Sequence, residues 1–169
     1  MLKSHGMYTK IHNYTFIDGN NLYLSTRELG WKLSYRKFRA YLADKYSVQI
    51  AYYFIGYIED NKYLYDNLRH DGFHLIFKEV SRDERDNVKG NIDADLVLQA
   101  MIDIEKYDQA VIVTSDGDFT SLVEYLLQRK KLRVVLATSR DNCSKLLSRA
   151  AGTRIDFLDS LRDKLEYKK

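Results

Sequence analysis

Five aspartates in three short motifs have the chemistry to hold a metal ion: Asp18 in "FIDGNN", Asp93 and Asp95 in "NIDADL", and Asp116 and Asp118 in "VTSDGDF". Carboxylates gathered this closely repel one another unless a cation neutralises them. Donors that are all oxygen suit Mg²⁺ or Mn²⁺, whereas Zn²⁺ prefers His or Cys ligands. His12, His70 and His74 lie outside the acidic motifs and His5 near the start of the chain, so all four read as surface or packing residues. A divalent cation held by carboxylates polarises phosphate oxygens and activates water, which is the chemistry of phosphodiester hydrolysis. Thr114 and Ser115 precede the last pair of acids. With no neighbouring histidine to act as base, neither reads as a nucleophile. They are expected instead to orient a carboxylate or a water by hydrogen bonding.

Each acid also has a plainer reading. Asp118 suits the N-cap of the helix that follows it. Asp93 suits the positive end of a helix dipole, and Asp18-Gly19 an ordinary turn. None of these explains why the acids collect at one end of the secondary structure. On a helix, Asp93 and Asp95 point to nearly opposite sides. Asp93 shares its stripe with Leu96, Val97, Ala100, Met101 and Ile104, the expected sheet-facing side, and is preferred to Asp95.

The elements that must carry these acids alternate. Strands are expected at 14–18, 48–58, 73–80, 109–113 and 132–138, with a short one opening 154–167. Helices are expected at 34–46, 61–72, 92–107, 119–130 and 141–150, with a last one closing 154–167. A charged loop covers 81–91. This alternation implies an α/β fold, a three-layer α/β/α sandwich around a mostly parallel sheet. Right-handed crossovers restrict its topology. Ligands in such sheets bind beyond the carboxyl ends of the strands, where the winding reverses. Asp18, Asp116 and Asp118 all follow strands, so they converge if those strands are neighbours.

The 169 residues, 45% hydrophobic, suit one domain, and no Pro-, Gly- or Ser-rich linker interrupts them. Lys and Arg number 27 against 24 acids, a balance that excludes neither nucleic acid nor small substrates. Cys143 is the single cysteine, which excludes a disulfide within the chain and suits a reducing compartment. "MLKSHGMYTK" lacks the apolar core of a signal peptide, and no apolar run approaches the ~20 residues of a membrane span. A cytoplasmic protein without a membrane partner is expected; self-association into a homo-oligomer is left open. Arg82, Arg85 and Lys89 stand ahead of Asp93 and offer positive charge for an RNA backbone. The competing reading is a solvated mixed-charge loop, because Asp83, Glu84 and Asp86 intervene. Tyr23, beside "DGNN", is placed either to stack on a base or to pack in the core.

"FIDGNNLY", "KGNIDADLVLQAM" and "DQAVIVTSDGDFTSLVEYL" together resemble the NYN domain family, in its LabA-like branch within the PIN-like nuclease superfamily. The resemblance runs from about residue 14 to 138. It implies a PIN-like (Rossmann-like) sandwich, a single domain over 1–169 with its core at about 14–158 and a closing helix to about 167. It also implies a metal-dependent ribonuclease site, with RNA as substrate and Mg²⁺ or Mn²⁺ as cofactor. The family's acids fall on Asp18, on Asp93 after Lys89-Gly90, and on Asp116 and Asp118; its asparagine falls on Asn21. One departure is Gln99, where many LabA-like sequences carry a further acid. A non-catalytic RNA- or protein-binding module therefore stays open beside the nuclease. A haloacid-dehalogenase-like phosphatase fits less well, since it needs a second acid where this chain has Asn20.

Overall fold

Runs of β-branched and aromatic residues form the strands, and the order in which they pair determines where the acids end up. In the computed structural model, residues 10–78, 81–82, 88–89 and 92–169 are described. The strands are β1 (Asn13–Asp18), β2 (Val48–Gly56), β3 (His74–Lys78), β4 (Ser81–Arg82), β5 (Val88–Lys89), β6 (Ala110–Val113), β7 (Leu132–Ala137) and β8 (Ile155–Phe157). The helices are α1 (Gly19–Glu28), α2 (Tyr35–Tyr46), α3 (Lys62–His70), α4 (Asp93–Ile102), α5 (Thr120–Gln128), α6 (Lys145–Ala151) and α7 (Arg162–Leu165).

Six strands form one sheet in the order β3-β2-β1-β6-β7-β8, each pair parallel. The chain winds outward from β1 through β2 to β3, then returns to β6 beside β1 and winds the other way. The reversal therefore falls between β1 and β6, where Ile17 stands opposite Val113. Alternation along the strands divides the core between two faces. Ile17, Tyr53, Val111 and Val113 pack with Leu22, Phe38, Leu42 and Leu68 under α1, α2 and α3. Phe16, Phe54, Ile112 and Val135 pack with Leu96, Ala100, Val123, Leu126 and Leu147 under α4, α5 and α6. This is a three-layer α/β/α sandwich with a parallel sheet. No described helix is long and apolar enough to cross a membrane.

Four stretches differ most from the expectation. Residues 19–28, given no element in the sequence reading, form α1, which starts because the Asp18 carboxylate caps the Asn21 amide at 3.1 Å. α4 stops at Ile102 rather than running to 107, since Asp103 turns inward. Its buried carboxylate accepts from Gln99 Nε2 at 2.8 Å, Lys106 Nζ at 2.8 Å and Tyr52 Oη at 3.0 Å. α6 begins at Lys145 rather than 141, because the Ser144 amide is drawn to the Ser115 carbonyl at 3.0 Å. The 81–91 stretch contains the antiparallel pair β4–β5, with Ser81 opposite Lys89 and Arg82 opposite Val88. Residues 79–80, Arg85 and His5 lie outside the described residues.

Candidate metal centre at the strand crossover

β1 ends on Asp18 and β6 leads into Thr114-Ser115-Asp116, so both deliver their polar residues to one edge of the sheet. α4 brings Asp93 to the same place as its first residue. Ligand oxygens of Asp93, Asp116 and Asp118 lie within 4.8 Å of one another. Asp118 is exposed, while Asp93 and Asp116 are half-buried. Asp18 lies beside this trio and is itself buried, 3% exposed. Its carboxyl is pushed up to about 6, chiefly by burial. The Asn21 amide and Thr114 hydroxyl oppose that shift, while the charges of Asp93 and Asp116 add to it.

Hydrogen bonds fix this geometry from both strands. Thr114 Oγ1 donates to Asp18 Oδ2 at 3.2 Å and accepts from the Asp116 amide at 3.1 Å. Asn21 Oδ1 accepts from the Ser115 amide at 2.9 Å, tying α1 to the end of β6. Ser115 Oγ accepts from the Thr138 amide at 2.9 Å, tying β6 to β7. Thr114 thus touches a carboxylate, whereas the Ser115 hydroxyl is spent between strands. Asp116 Oδ1 accepts from the Asp118 amide at 2.9 Å and caps the short 3₁₀ turn Gly117–Phe119. The capping role considered for Asp118 thus falls to Asp116. The two glycines of these turns are there for space. A Cβ on Gly19 would run into Tyr53 Cε1 and lie 2.5 Å from the Phe54 carbonyl oxygen; one on Gly117 would lie 2.5 Å from Ser144 Oγ.

Asp95 points elsewhere, to an ion pair with Lys78 at 3.2 Å. The helix phase agrees, since Leu96 and Ala100 are buried whereas Leu98 and Ile102 are exposed. Gln99 donates to Asp103 and lies about 9 Å along the helix axis from Asp93. Its amide is engaged at the far end of the helix. Arg82 and Lys89 lie in the β4–β5 pair, which precedes α4. Tyr23 projects from α1 at 46% exposure, with the Arg27 guanidinium 5.6 Å from its ring centre. Sequence reasoning missed Ser144 as the residue closing over Gly117. Its only signal was the "NCS" stretch before α6, which carries no motif.

The family model for the NYN domain matches residues 14–159, a span that begins in β1, ends beyond β8 and includes all four clustered acids. The chain belongs to the NYN domain family. It is 27% identical over 154 residues to the low amplitude and bright protein LabA of Synechococcus elongatus, covering 85% of this chain and 82% of LabA. The crystal structure of a Vibrio parahaemolyticus protein of unknown function superposes with a TM-score of 0.77 at 25% identity. That match covers 98% of this chain and 99% of the other. The NYN family is grouped with the PIN-like nucleases, and this chain's acidic trio lies at the crossover of its sheet.

Proposed function

We propose that this NYN domain, a single folding unit, is a metal-dependent ribonuclease that hydrolyses RNA phosphodiester bonds at Asp18, Asp93, Asp116 and Asp118. The observation that carries the reading is the meeting of Asp93, Asp116 and Asp118 oxygens within 4.8 Å, beside the buried Asp18. An all-carboxylate donor set fits a hard cation such as Mg²⁺ or Mn²⁺ and fits no soft one. When bound, such an ion supplies Lewis-acid polarisation of a phosphate oxygen and a more acidic water.

The chain's own residues do the rest. Thr114 and the Asn21 amide hold Asp18 in one orientation, and the Asp118 amide holds Asp116. Water adds to phosphorus, one P–O ester bond breaks, and the products are a phosphomonoester and an alcohol that takes up the proton. No protein nucleophile is invoked, because the Thr114 hydroxyl is spent on Asp18 and the Ser115 hydroxyl on the end of β7. Arg82, Arg85 and Lys89 are proposed to meet the RNA backbone, while Asp95 keeps its pairing with Lys78. The protein is expected in the cytoplasm, where RNA and Mg²⁺ are both abundant. The test is cleavage of mixed single-stranded and structured RNAs in Mn²⁺ and in EDTA. Activity in Mn²⁺ that EDTA removes supports the reading; activity equal in both overturns it.

A further inference from the structure

A groove lies on the opposite side of α1 from the acids. It consists of two adjoining cavities of about 460 and 400 Å³ that share Lys32, Leu33, Tyr35 and Leu64 in their walls. Tyr35 Oη lies 3.1 Å from Tyr53 Oη, which donates to the Gly19 carbonyl at 3.4 Å. Gly19 follows Asp18, so two hydrogen bonds in series link the groove wall at Tyr35 to the residue beside the acidic cluster.

Its surface is aromatic and basic. Tyr23, Tyr63 and Tyr167 stand 46%, 80% and 50% exposed. Arg27 and Lys32 lie 5.6 and 4.8 Å from the ring centres of Tyr23 and Tyr167. With Arg36 they make three cations along the two cavities against one carboxylate, Asp71. The whole chain is nearly balanced, at 27 bases to 24 acids. A base stacked on either ring would bring its phosphate to the adjoining cation. Duplexes keep their base faces stacked on each other, so only an unpaired strand can use such rings.

We propose that this groove binds single-stranded RNA, with bases on Tyr23, Tyr63 and Tyr167 and phosphates at Arg27, Lys32 and Arg36. The proposal rests on the nuclease reading and names its substrate as an unpaired strand led along α1 to the acids. The test measures fluorescence anisotropy of a labelled mixed-sequence RNA, single-stranded and as a duplex, in EDTA, and then cleavage kinetics in Mn²⁺. Tyr23→Ala, Tyr167→Ala and the pair Lys32→Gln with Arg36→Gln should each weaken single-strand binding by roughly tenfold. They should raise KM and leave kcat unchanged. Tyr23→Phe, which keeps the ring, should restore binding, and Arg149→Gln on α6 should change nothing. If wild type cleaves RNA and these variants bind it normally, the groove is overturned and the nuclease reading stands. If no cleavage occurs but the variants lose single-strand affinity, the groove stands and the nuclease reading falls. Equal affinity for the duplex, or binding of an acidic peptide in place of RNA, overturns the groove as a path for an unpaired strand.

Discussion

Asp18→Asn should make the metal-free protein more stable at neutral pH and less stable in acid. Asp18 is 3% exposed and its carboxyl titrates at about 6 rather than 3.8. Keeping it ionised in the fold therefore costs about 3 kcal/mol more than in the unfolded chain. The direction follows from proton binding. Between pH 4 and 6 the native state holds more protons than the unfolded state, so wild-type stability falls as pH rises through that window. Asparagine removes the charge and keeps an oxygen for the Asn21 amide, which now lies 3.1 Å from Asp18 Oδ1. It weakens the contact with Thr114, a loss of about 1 kcal/mol. The variant should then be more stable by about 2 kcal/mol above pH 6.5, or roughly 4–8 °C in Tm for a chain of this size. It should be less stable by under ~1 kcal/mol at pH 4. Added Mn²⁺ should reverse the neutral-pH ranking, since an ion bound at 100 times its Kd stabilises wild type by about 2.7 kcal/mol. Thermal melts at pH 4 and pH 7, in EDTA and in Mn²⁺, measure all four corners. An Asp18→Asn protein destabilised equally at both pH values, with no metal response in wild type, would refute the reasoning.

Asp93→Asn should abolish cleavage, whereas Asp95→Asn should leave kcat within about twofold and cost under ~1 kcal/mol, the scale of its half-exposed pair with Lys78; the reverse ranking in a cleavage assay would exchange their roles. Gly19→Ala should destabilise more than Gly117→Ala in denaturant melts, because its new Cβ meets backbone at 2.5 Å while that of Gly117 meets a hydroxyl able to rotate. Asp103→Ala should cost about 3 kcal/mol by orphaning Gln99 and Tyr52, while a metal titration of the folded variant stays at the wild-type value. Removing the charge of Arg82, Arg85 or Lys89 should lower the salt slope of RNA binding by about one per charge, read from affinities at several salt concentrations.

Most of the scaffold was legible because its signals are local. β-branched and aromatic runs such as "AVIV" and "LRVVLA" have few alternatives to a buried strand, and their alternation with helical periodicity requires a parallel sheet. The side of α4 facing the sheet followed from its apolar stripe. The convergence of Asp18 with the "SDGDF" turn was conditional, since strand order is a nonlocal property that no motif encodes. α1 escaped notice because "GNNLYLSTRE" opens with glycine and two asparagines, poor helix formers. Asp18 starts it as an N-cap while also facing the other acids, so one residue serves two purposes and reads only as one. The early end of α4 was equally hidden. Asp103 sits in no motif, and its burial depends on Tyr52 and Lys106, distant in sequence or beyond the turn. Of the groove only Tyr23 drew notice in the sequence, for Tyr63 and Tyr167 come from two other segments.

The most direct test of the account is the fate of solvent oxygen in a single-turnover cleavage of unstructured RNA, run in H₂¹⁸O with Mn²⁺, for wild type and Asp116→Asn. The account predicts cleavage by wild type alone, one ¹⁸O atom in each new terminal phosphomonoester, and no product in EDTA. A 2′,3′-cyclic phosphate without ¹⁸O, or full activity in Asp116→Asn, would contradict hydrolysis by water at this acidic cluster.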